Sequence, residues 1–284
     1  MRTYLLDTSA VRCASGQSLG ERSQSAELFA SPFCFWEIAS HLGDRGDFNR
    51  IRANLMKFRH VELLREPTAS AEQDLALAQV GVEDSLETPD VIYAMLAALC
   101  ASKSIDELYK CQIRDSKGTL RQIDGCVERI QCILAAGERQ FKGFIAKVRE
   151  LLRNREVVLD TPSAFHSGIL DLTNGWWIQV SSRSDQSEES HRKLIRRGYF
   201  FYAYVLYRAA DYAGRDATNI DANDFEDAKL LLHLTIDDEI TVVTSDKGLK
   251  ECLQNAIQTL NGLNDDWYAT GVQVCDTQSL LSMK

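Results

Sequence analysis

Two short β-rich runs, each ending on an aspartate, constrain this chain more than any other feature. Leu5-Leu6-Asp7-Thr8-Ser9 lies near the start and Thr241-Val242-Val243-Thr244-Ser245-Asp246 near the end, and each gives way to helix-forming residues. Such a run reads as a buried strand that delivers one carboxylate at its carboxyl end. That is where open α/β sheets keep their ligand sites. If the two strands lie side by side, Asp7 and Asp246 share one crevice. Neighbouring carboxylates repel unless something positive stands between them, and the simplest such object is a divalent metal ion.

A chain of 284 residues can bury a sizeable core, and this length predicts two domains or one domain with a large insertion. It contains no run of about 18 apolar residues, and Met1-Arg2-Thr3 leads directly into a strand, so neither a membrane span nor a signal peptide is expected. The expected location is cytoplasmic. Eight cysteines without C-x-x-C spacing point to reduced, structural thiols rather than zinc or a disulfide framework.

The net charge of −9 argues against a protein that coats nucleic acid by bulk electrostatics. Local patches remain. One runs from Arg139 to Arg155 and includes Lys142 and Arg149; a second, Arg192, Lys193, Arg196 and Arg197, is followed by Tyr199, Phe200, Phe201, Tyr202 and Tyr204. Basic groups beside aromatics suit a single-stranded polynucleotide through phosphate contact and base stacking. A solvated helix face followed by a buried aromatic stripe explains the same residues, and for the aromatics this is the favoured reading.

The amino-terminal third reads as strand, helix, helix, strand. Glu21 to Phe29 has helical spacing, Ser31-Pro32 is a helix start that carries the chain to about Leu42, and Val61 to Leu64 is a short strand before Pro67. Helices are expected from about Ala69 to Val80 and from Pro89 to Ala101. Residues 102–217 then change to long helical stretches, Leu120 to Arg153 and Ser190 to Tyr212, interrupted by a polar segment with Trp176, Trp177 and Ser181 to Ser184. This is the candidate helical insertion, within a core made of 1–101 and 218–284. The α/β rhythm resumes with a helix near Phe225 to Leu234, the strand to Asp246, a helix from Leu249 to Leu260, and a last strand Val272 to Cys275 before Asp276, a candidate helix cap.

Two further acids join the strand-end pair as candidates. Glu37 sits in the second turn of the helix opened by Ser31, and its same-face neighbours Phe33, Cys34, Ser40 and His41 include no lysine or arginine. It is either exposed by chance or paired with a partner from elsewhere in the fold. Asp227 begins the apolar run Ala228 to Leu232, with Asp224 on the same face as a competitor. Dipole compensation or N-capping explains each acid singly. Four acids at separate element ends are harder to dismiss.

Taken in order, these residues resemble the PIN-domain nucleases. The likeness lies in Leu5-Leu6-Asp7-Thr8-Ser9, Ser31-Pro32 with Trp36-Glu37-Ile38-Ala39, Asp227-Ala228, and Val243-Thr244-Ser245-Asp246-Lys247-Gly248-Leu249, with Val272 to Val274, Asp276 and Leu280-Leu281 closing the pattern. It covers roughly 1–100 and 220–284. The resemblance implies an α/β/α sandwich with a central parallel sheet and a Mg²⁺- or Mn²⁺-dependent phosphodiesterase, usually a ribonuclease, with Asp7, Glu37, Asp227 and Asp246 as catalytic metal ligands. Thr8, Ser9, Thr244 and Ser245 are expected to hydrogen-bond those ligands. Lys142, Arg149, Arg192, Lys193, Arg196 and Arg197 are the candidates for holding RNA phosphates.

One departure concerns the third acid. In compact members it lies much closer in sequence to the second than Asp227 does to Glu37, and Asp90, in Thr88-Pro89-Asp90-Val91-Ile92-Tyr93-Ala94, looks like the family's third-acid helix. Asp227 is preferred because its helix leads directly into the strand bearing Asp246; Asp90 and Asp224 stand as alternatives. A haloacid-dehalogenase-type phosphatase would need an acid where Ser9 stands, and neither a glycine-rich dinucleotide turn nor a phosphate loop is present. A non-catalytic scaffold binding RNA or protein, or a structure-specific DNA nuclease, remains open, as do an antitoxin-like partner and a homo-oligomer.

Overall fold

The structure is a computed structural model that describes residues 1–44, 46–68, 89–115, 118–154, 159, 161–180, 187–215, 220–221, 223–263 and 270–282. Its centre is a five-stranded sheet of order β3-β2-β1-β6-β7, formed by β1 (Arg2–Leu6), β2 (Ala26–Ala30), β3 (Glu62–Leu63), β6 (Ile240–Val243) and β7 (Gln273–Cys275). All four pairings are parallel. Successive strand side chains point to opposite faces. Tyr4, Leu5 and Leu6 are nonetheless each at most 1% exposed, so helices cover both faces, an α/β arrangement compatible with three layers.

The strand order carries the functional information. From β1 the chain moves outward through β2 to β3; after the long helical stretch it returns to the other side of β1 and moves outward through β6 to β7. The reversal falls between β1 and β6, where Leu5 pairs with Val242 and Leu6 with Val243. Side chains just beyond these carboxyl ends border a crevice that no crossover helix fills.

Between β1 and β3 lie α1 (Thr8–Cys13), α2 (Gly16–Arg22), α3 (Pro32–Ala39) and α4 (Phe48–Leu55). The Glu21 to Phe29 helix expected from spacing is corrected. The helix ends at Arg22, and Ala26 to Ala30 form β2, because hydrogen bonding to β1 and burial on alternate residues outweigh a weak helical period. Ser31 caps α3 as its sequence suggests, accepting from Phe33 N at 3.3 Å with Pro32 in the first turn. The helix α5 (Pro89–Ala101) also has the expected bounds. The helix expected over 69–80 and the serines Ser181 to Ser184 lie outside the described residues.

Next come α6 (Ile105–Lys110), an antiparallel hairpin of β4 (Gln112–Arg114) and β5 (Leu120–Gln122), and the helices α7 (Ile123–Arg153), α8 (Pro162–Val180) and α9 (Glu188–Gly214). Leu120 to Gln122 are therefore strand, and Trp176 and Trp177 belong to a helix rather than to an interruption. Gly118, at φ +80°, supplies the left-handed residue that turns the hairpin. The chain then forms α10 (Asn223–Leu231), β6, α11 (Lys247–Gly262), β7 and α12 (Thr277–Ser282). Residues of α7 and α9 share one continuous buried cluster with the sheet. Helix α9 lies deep within it: Tyr199, Phe200, Ala203, Val205 and Ala209 are all fully buried.

Candidate active site

The carboxyl ends of β1 and β6 are tied by side chains that sequence alone places far apart. Asp7 is the N-cap of α1, its Oδ1 accepting from Ala10 N at 2.6 Å, and its backbone N–H donates to Val243 O at 3.1 Å. Ser9 Oγ stands 2.9 and 2.8 Å from the two carboxylate oxygens, and Thr244 Oγ1 donates to Oδ2 at 2.5 Å. Thr244 Oγ1 in turn accepts from Asp246 N at 2.9 Å, while Ser245 N donates to Ser9 Oγ at 2.7 Å. Asp246 caps α11 through Leu249 N at 2.7 Å. The N-capping role and the site role thus coincide, because a strand-to-helix junction is what aims both carboxylates at the crevice.

Asp227 completes a triangle of acids. It lies in the second turn of α10, and its Oδ2 stands 3.0 Å from Tyr204 Oη of α9. Burial pushes its carboxyl well above the ordinary aspartate range, and the charges of Asp7 and Asp246 push it further. Burial likewise raises Asp7 to about 6; donors from Thr244, Ala10 and Ser9 oppose this, and the Asp246 charge adds to it. Among the described residues no lysine or arginine is ion-paired with Asp7, Asp227 or Asp246.

Tyr204 Oη also stands 3.0 Å from Asp224 Oδ1. A phenol has one hydrogen to donate, so Tyr204 shares it between two carboxyl groups, both of which burial pushes up. Asp224 is otherwise committed. Arg208 Nε stands 2.8 Å from its Oδ1 as an ion pair, and Tyr212 Oη donates to its Oδ2 at 2.6 Å. Asp224 thus differs from Asp227 in being ion-paired, and it stays the alternative third acid. Asp90 is exposed in the first turn of α5, and among the described residues no hydrogen bond or ion pair joins it to the aspartates.

Glu37 has one of its two expected settings, a partner from elsewhere in the fold. Its Oε1 is paired with Arg12 Nη1 of α1 at 3.1 Å, and its charge acts on Cys34 and Glu226. Glu226, next to Asp227, was not anticipated from sequence. Burial, then the charges of Glu37, Glu138 and Asp221, against its own backbone hydrogen bond, raise it to about 8. Of the four expected supporting side chains, Ser9 and Thr244 touch Asp7. Thr8 instead hydrogen-bonds Cys34, and Ser245 Oγ lies 2.9 Å from Thr277 Oγ1.

The residues expected to hold phosphates have carboxylate or carbonyl neighbours in the structure. Arg192 and Lys193 are held by Glu188 at 2.5 Å and Glu189 at 3.0 Å, and Arg196 pairs with Asp237. Arg197 is 7% exposed and donates to His233 O at 3.1 Å. Lys142 lies 3.8 Å from Glu138; Arg149 is half-buried on α7. The aromatics after Arg197 form the buried stripe, not a stacking platform.

A cavity of about 280 Å³ opens between α9 and the start of α11, bordered by Tyr204, Arg208, Asp224, Asp227, Asp246 and Gly248 among others. A side-chain carbon on Gly248 would stand 3.3 Å from Asp246 Oδ1 and 3.7 Å from Arg208 Nη1, so glycine keeps that space open. Among the described residues no three histidine, cysteine, aspartate or glutamate side chains stand close enough together to enclose a metal ion. No helix among them is long and apolar enough to cross a membrane. The chain matches no family model, and no curated protein or solved structure matches it at a significant level.

Proposed function

We propose that this chain is a Mg²⁺- or Mn²⁺-dependent phosphodiesterase of the PIN type that hydrolyses RNA. One observation carries the reading: buried Asp7 and Asp227 are driven above the ordinary aspartate range at a topological switch point, with Asp246 adding to both, and no described cation pairs with any of them. Burial and like charge together disfavour the ionised state. A dication relieves both, which is why such clusters suit a metal-binding crevice.

The donor set fits a hard cation. Carboxylate oxygens match Mg²⁺ and Mn²⁺, and Gly248 leaves open the space beside Asp246 Oδ1. Magnesium keeps several of its waters and asks for one or two carboxylates, so three protein ligands in contact are not required. Asp7, Asp227 and Asp246 would hold it. When bound, such an ion lowers the pKa of a coordinated water and neutralises charge developing on phosphate oxygens.

The chain's own groups supply orientation. Ser9, Ala10 N and Thr244 fix the Asp7 carboxylate on one side, and Tyr204 holds Asp227 from the other. Glu37 is held by Arg12 through Oε1, which leaves Oε2 to join. RNA as substrate rests on the sequence resemblance.

A second reading, a non-catalytic scaffold of this shape that binds RNA or protein, is favoured by the Arg12–Glu37 pair and by the absence of three converging ligands among the described residues. Incubation of an RNA and DNA panel with and without Mn²⁺, beside the Asp7→Asn variant, separates the two. The nuclease reading expects Mn²⁺-dependent RNA cleavage that Asp7→Asn abolishes. Cleavage at the wild-type rate by Asp7→Asn, or none by the wild type, sinks it.

A further inference from the structure

We propose that Arg208 of α9 binds a phosphate of the substrate strand next to the acidic crevice, so that the helical insertion forms one wall of the active site. The inference rests on the phosphodiesterase reading and adds the group that receives the polyanion. It adds a cation that borders the crevice to the Arg192 to Arg197 cluster, whose members contact Glu188, Glu189, Asp237 and the His233 carbonyl.

Arg208 lines the same cavity as Asp227 and Asp246. Its guanidinium is fixed before any ligand arrives: Nε is ion-paired with Asp224 Oδ1 at 2.8 Å, Nη2 donates to Tyr212 Oη at 2.9 Å, and the group lies 4.9 Å from the Tyr212 ring centroid. Nη1 makes only a long contact, 3.4 Å from Asp211 Oδ2. It stands 3.7 Å, and Asp246 Oδ1 3.3 Å, from where a side-chain carbon on Gly248 would lie. A guanidinium so held has little rotamer entropy left to lose and presents a planar fork suited to phosphate oxygens.

The surrounding charge sets a condition on this binding. Asp211, Asp221, Asp224, Asp227, Asp246 and Glu251 border the cavity against Arg208, Arg215 and Lys247. Arg215 is paired with Asp211 at 2.7 Å and Lys247 with Glu251 at 3.6 Å. With acids in excess, a phosphate is repelled until a divalent cation is present. RNA binding is therefore expected to be cation-dependent and to use Arg208 once the cation is there.

The test is fluorescence anisotropy of a labelled single-stranded RNA, with Ca²⁺ in place of Mg²⁺ and with EDTA, on wild type, Arg208→Gln and Arg208→Lys. Arg208→Gln is expected to weaken binding in Ca²⁺ about tenfold and to reduce the log–log salt slope by about one. Arg208→Lys retains a charge for Asp224, so it controls for folding, and is expected to recover the melting temperature but less than half of the lost affinity because the fork is gone. Unchanged affinity and slope in both variants, or equally tight wild-type binding in EDTA, overturns the proposal and leaves the nuclease reading standing. Arg208-dependent binding with no cleavage in Mg²⁺ or Mn²⁺ overturns the nuclease reading instead.

Discussion

Asp7 is buried to 3% exposure and accepts hydrogen bonds from three separate groups, yet its carboxyl titrates at about 6. Burial outweighs the donors. Asparagine at this position keeps an acceptor for Ala10 N and removes the desolvated charge, so Asp7→Asn is expected to raise metal-free stability at pH 8 by about 1–2 kcal/mol while removing cleavage. Paired urea melts in EDTA check this, and a variant less stable than wild type would mean that the carboxylate is structural. Thr244 gives the opposite outcome. It is fully buried, donates to Asp7 and accepts from Asp246 N. Thr244→Val takes one donor from Asp7 and the acceptor from Asp246 N, and is expected to cost about 1–3 kcal/mol and, on the proposed function, to lower Mn²⁺ affinity; calorimetric titration reads the second effect.

Among the elements, the contact between α7 and α10 sets where Asp227 stands. Gly137 of α7 lies against the Phe225 ring so closely that a methyl group there would be 2.1 Å from Cζ. Gly137→Ala is therefore expected to destabilise the fold by about 1–3 kcal/mol, and adding Phe225→Leu should recover most of it; thermal melts of the single and double variants test the coupling. The sequence made Asp7, Asp246 and the α3 cap legible because strand ends and Ser-Pro starts are local signals. It also found Asp227, through the apolar run that follows it. Arg208, Tyr204 and Glu226 were not legible, since what makes them notable is contact between α9, α10 and the sheet, which no local pattern encodes. Glu21 to Phe29 was misread for the same reason: pairing with β1 decides its state. Arg197 was read as a surface charge because a basic cluster reads the same whether its neighbours are water or protein.

The molecule as a whole carries several carboxyl groups whose folded pKa lies above the unfolded value, Asp7 at about 6 and Glu226 at about 8 against 3.8 and 4.5. A raised acid favours the folded state below its unfolded pKa, and that contribution is lost as pH rises through the folded value. Metal-free protein is accordingly expected to lose stability from about pH 4 to pH 8 through these groups. On the proposed function a divalent cation is expected to reverse the trend: ligands must be deprotonated, so its stabilisation would grow with pH and reach about 2.7 kcal/mol at a hundredfold excess over Kd. Melting curves across pH 5 to 8 with EDTA and with Mn²⁺ should diverge upward; parallel curves would remove the cation from the picture.

The pairing of β1 with β6 has a consequence for the chain in synthesis. Asp7 leaves the ribosome early, and Thr244, its hydrogen-bond partner, follows 237 positions later. Until then the inner edge of β1 has no neighbour on that side, and a nascent or prematurely stopped polypeptide holds Asp7 without Asp246. The crevice between the two strand ends is therefore complete only after the segment carrying Thr244 has been made.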